Sequence, residues 1–123
     1  MSQDKNKSYN WVIELDEKII GTINICYIDE NLGISGIAYA LSYDYWGKGI
    51  TSEAVKAVIH YLFDKVNCRK VIAGCDSENI GSRKVLERVG MKQEACLRLQ
   101  IKRKDGTFAD DLQFGLFKNE FIY

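Results

Sequence analysis

A glycine-rich turn, Trp46-Gly47-Lys48-Gly49-Ile50-Thr51, separates a strand-like segment from the most regular helical pattern in the sequence. Gly47 and Gly49 lack a Cβ atom, so the backbone can turn sharply there and approach a ligand closely. The first amides of the helix that follows have no partners within the helix, and together with the helix dipole they favour an anion. The turn therefore predicts an anion site that suits a pyrophosphate, with Lys48 adding an ionic contact.

Two other phosphate-binding patterns do not fit this turn. Its glycine spacing differs from the dinucleotide-binding fingerprint, and no Gly-Lys-Ser or Gly-Lys-Thr follows as in a nucleotide-hydrolysing loop. Turns without a ligand also contain glycines before a helix, so a purely structural turn is the alternative interpretation. The rest of the sequence has to decide between a ligand site and a plain turn.

The charge balance argues against partners that attract a whole molecule by its net charge. The 17 basic residues match 17 acidic ones, so we expect neither nucleic acid nor an anionic membrane as a partner. The polar N-terminus has no apolar run behind it, which predicts no signal peptide, no membrane span and a cytoplasmic location. The cysteines lack the short spacings of metal and redox motifs, so we expect no metal site.

Hydrophobic patterning predicts strands and a helix on either side of the turn. Alternating and β-branched residues predict strands over 11–15, 19–28 and 34–41. Apolar residues at helical spacing predict a helix over 51–66, and the short apolar run 70–75 is typical of a buried strand. A right-handed crossover through that helix would make the strands on either side of it parallel.

The C-terminal part of the sequence predicts a second helix and a final hairpin. Asn79 is a good N-cap, and Gly90 stands where a left-handed residue ends a helix. The Asp105-Gly106 dipeptide predicts a tight turn between strands over 92–101 and 107–117. The predicted order is β-β-β-α-β-α-β-β, an α+β fold around a mixed central sheet in a single domain over 1–123.

These motifs give the sequence its resemblance to a known family. The turn at 46–51 and the second motif Asn79-Ile80-Gly81-Ser82, leading to Val89-Gly90-Met91, resemble the GNAT acetyltransferase superfamily. The segment Tyr45-Trp46-Gly47-Lys48-Gly49 resembles the corresponding motif of one branch of the superfamily. That branch acetylates the N-terminal alanine or other N-terminal amine of ribosomal proteins. Trp46 replaces the arginine or glutamine that usually opens the superfamily's turn. The resemblance covers nearly the whole chain and implies a three-layer α/β arrangement.

The resemblance also implies a cofactor, acetyl-CoA, and the residues that hold it. The amides of Gly47 to Thr51 would bind the CoA pyrophosphate, and the pantetheine arm would lie along the strand at Tyr39, Ala40 and Leu41. There the arm would pair with backbone groups left free where strands 34–41 and 70–75 splay apart. An ordinary core strand is the alternative for 39–41, and both can hold. The implied cofactor residues are Tyr39, Ala40, Leu41, Trp46, Gly47, Lys48, Gly49, Ile50, Thr51, Asn79 and Ser82.

Amine acetylation needs a neutral nitrogen, a polarised thioester carbonyl and a proton for the departing thiolate. By resemblance, a backbone amide near Leu41 polarises the carbonyl. Many GNAT enzymes place a tyrosine proton donor seven residues after the motif asparagine, but Leu86 stands there. Ser82 is therefore the catalytic candidate, and its alternative is a small capping or packing residue. Asn79 is either an N-cap or a cofactor ligand, and no carboxylate is assigned as the base.

The expected function is that of an N-acetyltransferase, an acyltransferase that moves acetyl from acetyl-CoA to a primary amine acceptor. The acceptor would be a protein N-terminus or a small amine. A catalytically silent acyl-CoA-binding or regulatory module is the alternative. Full-length relatives begin with a strand and a helical pair that form one wall of the acceptor groove, and this sequence starts after them. We expect exposed apolar surface as a result, which a homodimer could cover.

Overall fold

The computed structural model describes residues 10–41 and 49–121. Within these ranges the chain forms a six-stranded mixed sheet with two α-helices packed on one face. Three of the predicted cofactor residues, Trp46, Gly47 and Lys48, lie outside the described residues. None of the described helices is both long and apolar enough to cross a membrane.

The elements follow the predicted order. The strands are β1 (Asn10–Leu15), β2 (Lys18–Asp29), β3 (Ile34–Leu41), β4 (Lys70–Asp76), β5 (Lys92–Lys102) and β6 (Phe108–Phe117). The α-helices are α1 (Ile50–Asp64) and α2 (Ile80–Arg88), and a 3-10 helix covers Lys118–Glu120. The order β-β-β-α-β-α-β-β is confirmed, and α1 ends two residues before the predicted boundary at 66.

The sheet has the strand order β1-β2-β3-β4-β6-β5. Strands β3 and β4 pair in parallel across α1, and the other neighbouring strands pair antiparallel. The parallel pair confirms the predicted crossover. The closing hairpin turns at Gly106, whose φ of 90° favours glycine, so the Asp-Gly signal is confirmed as well.

One hydrophobic core joins both helices to the sheet. Helix α1 buries one stripe, and Val55, Ile59, Leu62 and Phe63 on that stripe are completely inaccessible to solvent. Helix α2 adds Leu86 to the same core. Full burial of such a side chain contributes roughly 1.5–3 kcal/mol, so this core fixes the position of both helices on the sheet.

Strands β3 and β4 pair for only half of their length. Their register runs from Ile34 opposite Lys70 to Ile37 opposite Ala73. Beyond that point, β3 continues beside β2 to Leu41, and β4 continues beside β6 to Asp76. We call this divergence the fork. It matches the predicted splaying of the two strands, and its edges, 38–41 and 74–76, lie at the same end of the sheet as the start of α1.

Candidate functional site

Among the residues that the structure describes, no side chain caps the first amides of helix α1. Its N-cap is Gly49, which adopts a left-handed conformation with φ of 78° and has no side chain to cap the helix. The Glu53 N–H donates to the Gly49 carbonyl at 3.1 Å, so the regular hydrogen bonds start only there. A helix start of this kind suits an anion, and Ile50 and Thr51, two of the predicted phosphate residues, provide its first amides.

A cation that sequence reasoning missed lies beside this helix start. A Cβ atom built on Gly49 would stand 3.6 Å from Nη1 of Arg88, the last residue of α2. The Arg88 side chain is exposed, so its guanidinium can reach an anion held by the amides of α1. No local pattern indicates this pairing, because Gly49 begins α1 and Arg88 ends α2, and β4 separates the two helices in the sequence.

The hydroxyl groups of Tyr39 and Ser82 are hydrogen-bonded to each other on the face of the sheet that the helices cover. Tyr39 projects from β3 to the side of the sheet that α2 covers, and its Oη atom lies 2.8 Å from Ser82 Oγ. Tyr39 Oη also donates to the Ser82 carbonyl oxygen at 3.0 Å. The structure thus brings together two predicted site residues from different elements, and it does so through the Tyr39 side chain as well as through the backbone of β3.

The surroundings of Tyr39 keep its hydroxyl protonated. Burial raises the pKa of Tyr39 to about 12, and the hydrogen bond with Ser82 only partly opposes that effect. A tyrosine has a single hydroxyl proton. When Tyr39 donates this proton to the Ser82 carbonyl, the Ser82 hydroxyl is the donor in the 2.8 Å bond between the two side chains.

Asn79 occupies the N-cap of α2, as predicted. Its Oδ1 atom accepts a hydrogen bond from the Ser82 N–H at 3.0 Å. The Ser82 hydroxyl bonds to Tyr39 and does not cap a helix amide. Of the two residues, Asn79 is therefore the one that caps the helix. The role of Asn79 as a cofactor ligand stays a prediction.

Leu86 fills the position where many GNAT enzymes carry a tyrosine. Its side chain is completely buried in the core. A residue packed in this way exposes no polar group to the fork, so Leu86 cannot supply a proton there.

Cys75 lies close to this hydroxyl pair but is poorly suited to be a nucleophile. Its side chain is buried, and burial, followed by the charge of Asp111, raises the pKa of the Cys75 thiol. The Ser82 hydroxyl and the Arg83 charge act in the opposite direction. A thiol whose pKa is raised has little thiolate at neutral pH, so the site offers hydroxyl groups and no activated cysteine.

The chain matches the family model described as the acetyltransferase (GNAT) domain over residues 1–92. It is 34% identical over 113 residues to the uncharacterised N-acetyltransferase p20 of Bacillus licheniformis, covering 92% of this chain and 63% of that protein. It is 30% identical over 88 residues to the ribosomal-protein-serine acetyltransferase of Escherichia coli K12, covering 72% of this chain and 49% of that protein.

Solved structures agree with these relatives. Mycobacterium smegmatis RimJ, solved in complex with CoA-disulfide, superposes with a TM-score of 0.85 at 27% identity, covering 94% of this chain and 56% of RimJ. The chain thus spans roughly half to two-thirds of the length of the relatives it matches. The family model, the relatives and the diverging strands beside an uncapped glycine-led helix agree, and the chain belongs to the GNAT acetyltransferase family.

Proposed function

We propose that the chain is an N-acetyltransferase that moves an acetyl group from acetyl-CoA to a primary amine. The observation that supports the proposal is the fork, whose β3 edge carries Tyr39 of the Tyr39–Ser82 hydroxyl pair and lies at the same end of the sheet as the start of α1. An extended acyl carrier needs backbone partners along its arm and an anion site at its phosphate end. In the proposed complex, the fork would provide the backbone partners and the start of α1 would provide the anion site, at the same end of the sheet.

The residues fit acetyl-CoA in three places. The amides of Gly49, Ile50 and Thr51 and the Arg88 guanidinium would hold phosphate groups, together with 46–48 as predicted. The strand edge at 39–41, which β4 no longer pairs, would hold the pantetheine arm by backbone hydrogen bonds. Ser82 would lie near the sulfur end of that arm. Asn79 would fix α2 in place and contact the cofactor.

Acetyl-CoA supplies a thioester: the amine nitrogen bonds to its carbonyl carbon, the C–S bond breaks, the nitrogen loses one proton and the sulfur gains one. Ser82 would donate that proton to the sulfur and regain one from water, and Tyr39 would hold the Ser82 side chain in position. The backbone amide near Leu41 would polarise the thioester carbonyl.

The acceptor would be a protein N-terminus or a small amine in the cytoplasm. The name of one relative, a ribosomal-protein-serine acetyltransferase, supports a ribosomal-protein N-terminus as one acceptor to test. An α-amino group titrates near pH 8, so a useful fraction is already neutral without a strong base. We also propose that residues 1–123 act as one domain and that the domain forms a homodimer.

One observation favours a second candidate function, that of a catalytically silent acyl-CoA-binding module. Leu86 is packed into the core where many family members carry a tyrosine proton donor. In such a module the fork and the helix start would bind acyl-CoA, and the Tyr39–Ser82 pair would serve only to hold β3 against α2. Binding therefore cannot separate the two functions, and turnover has to be measured.

The proposed function predicts release of free CoA thiol when acetyl-CoA is mixed with the chain and a panel of peptides, polyamines and aminoglycosides. Ser82→Ala should lower kcat by about tenfold or more and leave the acetyl-CoA Kd nearly unchanged. An unchanged rate would refute the role of Ser82, and binding without turnover across the panel would favour the silent module.

A pair of glycine variants tests the phosphate end of the site. Gly49→Ala should abolish or strongly reduce the thermal stabilisation by CoA, because a Cβ atom there blocks close approach to the amides of α1. Gly106→Ala is the matched control, since Gly106 also has a positive φ and lies in open space at the far hairpin. Equal loss of CoA stabilisation in both variants would refute the phosphate site.

A further inference from the structure

The face of the fork that points away from the helices carries a half-buried carboxylate. Strand β6 turns Leu112 and Phe114 into the core, so the alternate residues Asp111 and Gln113 lie on the opposite face. Within residues 10–41 and 49–121, no lysine, arginine or histidine nitrogen lies within 4.0 Å of the Asp111 carboxylate. Asp111 therefore brings a negative charge to the fork that the described side chains do not neutralise.

Gly74 allows this carboxylate to lie directly over β4. It is the first residue of β4 beyond the last pair with β3. A Cβ atom on Gly74 would stand 3.0 Å from Asp111 Oδ1 and 2.9 Å from Gln113 Nε2, closer than side chains pack. The absence of a side chain at Gly74 thus places the two polar groups of β6 at the edge of the fork.

The two oxygens of Asp111 are in different situations. Gln113 Nε2 donates to Asp111 Oδ2 at 2.8 Å and so fixes the orientation of the carboxylate. Oδ1 is the oxygen nearest to Gly74 and can accept from an incoming donor. The neighbouring carboxylate, Asp76, is already engaged by Arg103 through bonds of 2.8 Å and 3.0 Å. Asp111 is therefore the carboxylate at the fork that is oriented and still able to bind a cation.

The same face leaves room for a ligand beside Asp111. Ala38 and Ala40, which point to this face from β3, are exposed and small, and Gly74 is exposed as well. The Tyr39–Ser82 hydroxyl pair lies on the opposite face. Hydroxyl groups thus flank one side of the fork, and an anion that can bind a cationic acceptor flanks the other.

We propose that Asp111 binds the ammonium group of the acceptor, and that the acceptor is a cationic primary amine. The proposal rests on the proposed acetyltransferase function. A charge-assisted bond from the ammonium to Oδ1 would hold the nitrogen over Gly74 at the mouth of the fork. The ammonium then loses one proton to water and becomes the neutral nucleophile. Asp111 thus sets the specificity for charged alkylamines over neutral arylamines.

Direct binding tests the proposal without turnover. The probe is n-butylammonium chloride, titrated into the chain with and without saturating CoA while the backbone amide resonances of Gly74 and Asp111 are followed by NMR. We expect saturable shifts in the wild type and an affinity lower by about tenfold or more in Asp111→Asn. Asp110→Asn is the matched control, because this adjacent carboxylate bonds to the Leu99 N–H at 2.9 Å instead. Equal affinity in the wild type and Asp111→Asn would overturn the proposal.

Kinetics separate this proposal from the function on which it rests. Asp111→Asn should raise the KM for butylamine about tenfold, with the KM for acetyl-CoA and the rate with aniline, which is neutral at assay pH, unchanged. Equal effects on butylamine and aniline would refute the ammonium site. A wild type that transfers acetyl to no amine but binds butylammonium through Asp111 would refute the acetyltransferase function and support the site.

Discussion

Tyr39 connects the two halves of the candidate site through one hydroxyl group. It leaves β3 where that strand no longer pairs with β4, and it bonds to both the side chain and the backbone of Ser82 on α2. The two residues are 43 positions apart in the sequence. A change at either residue is therefore expected to affect both the proton donor and the attachment of α2 to the sheet.

The raised pKa of Tyr39 predicts a specific dependence of stability on pH. An unfolded tyrosine ionises near its ordinary pKa of 10.0, whereas the native Tyr39 keeps its proton up to about 12. Between these values the native state binds more protons, so the free energy of unfolding falls as the pH rises, by up to about 1.4 kcal/mol per pH unit. Below pH 10 this contribution is fully present.

Tyr39→Phe removes this contribution. In urea unfolding at pH 8 to 11, the stability advantage of the wild type over Tyr39→Phe should therefore shrink above pH 10. The other titrating groups are shared by both proteins and cancel in the difference. A difference that stays constant from pH 8 to 11 would show that the pKa of Tyr39 is not raised in the native state.

Individual site residues could be predicted only where the sequence pattern is local. Asn79 as an N-cap depends on the residues next to it, and the structure confirms it. Arg88 beside Gly49 and Asp111 over Gly74 were not predicted, because each pair comes together only when separate elements pack. The pairing of Tyr39 with Ser82 was missed for the same reason, although both residues were named.

At the scale of elements, helix α2 depends on its first turn. Asn79 is the only side chain that caps its amides in the described residues, and α2 carries both Ser82 and Arg88. The helix is nine residues long, so it has few internal hydrogen bonds with which to offset a lost cap. Loss of the N-cap of α2 would therefore displace both Arg88 at the phosphate end and Ser82 in the hydroxyl pair.

Two variants of Asn79 separate capping from cofactor binding. Asn79→Ala should lower the free energy of unfolding by about 1 kcal/mol, because the Ser82 N–H loses its acceptor. Asn79→Asp keeps an acceptor and should preserve stability in urea unfolding. If Asn79 also contacts the cofactor, the added charge should weaken CoA binding in calorimetry. Unchanged CoA affinity in Asn79→Asp would refute the cofactor contact and show that Asn79 acts only as the N-cap of α2.

Strands and helices were well predicted because their patterns are periodic and short-range. The parallel pairing of β3 and β4 was also predicted, since the handedness of a crossover leaves one arrangement. The point where their pairing ends could not be located from the sequence. Beyond that point β3 follows β2 and β4 follows β6, and β6 lies far along the chain.

At the scale of the whole molecule, the two helices cover one face of the sheet and leave the other exposed in the described residues. Exposed apolar side chains on the sheet include Val12 and Tyr27, which are 58% and 45% accessible. A homodimer that used this face would cover apolar surface and could supply a second wall for the acceptor groove.

Sedimentation equilibrium tests the homodimer directly. At micromolar concentration we expect twice the chain mass, and Val12→Glu should shift the equilibrium towards the monomer because it places a charge in the apolar interface. Lys18→Gln, an exposed change at the start of β2 that also lowers the net charge by one, is the charge-matched control. A monomer at all concentrations tested would exclude a stable dimer of this chain.

The short pairing between β3 and β4 also has a mechanical consequence. Strands β1 to β3 and strands β4 to β6 are two antiparallel ribbons. In the described residues their strand pairing runs from Ile34 and Lys70 to Ile37 and Ala73, and the Gly33 carbonyl adds bonds from the N–H groups of Arg69 and Lys70. A ligand whose arm pairs along 38–41 would lengthen that junction. The sheet would then be stiffer with the ligand bound than without it, because the bound arm adds hydrogen bonds between the two ribbons.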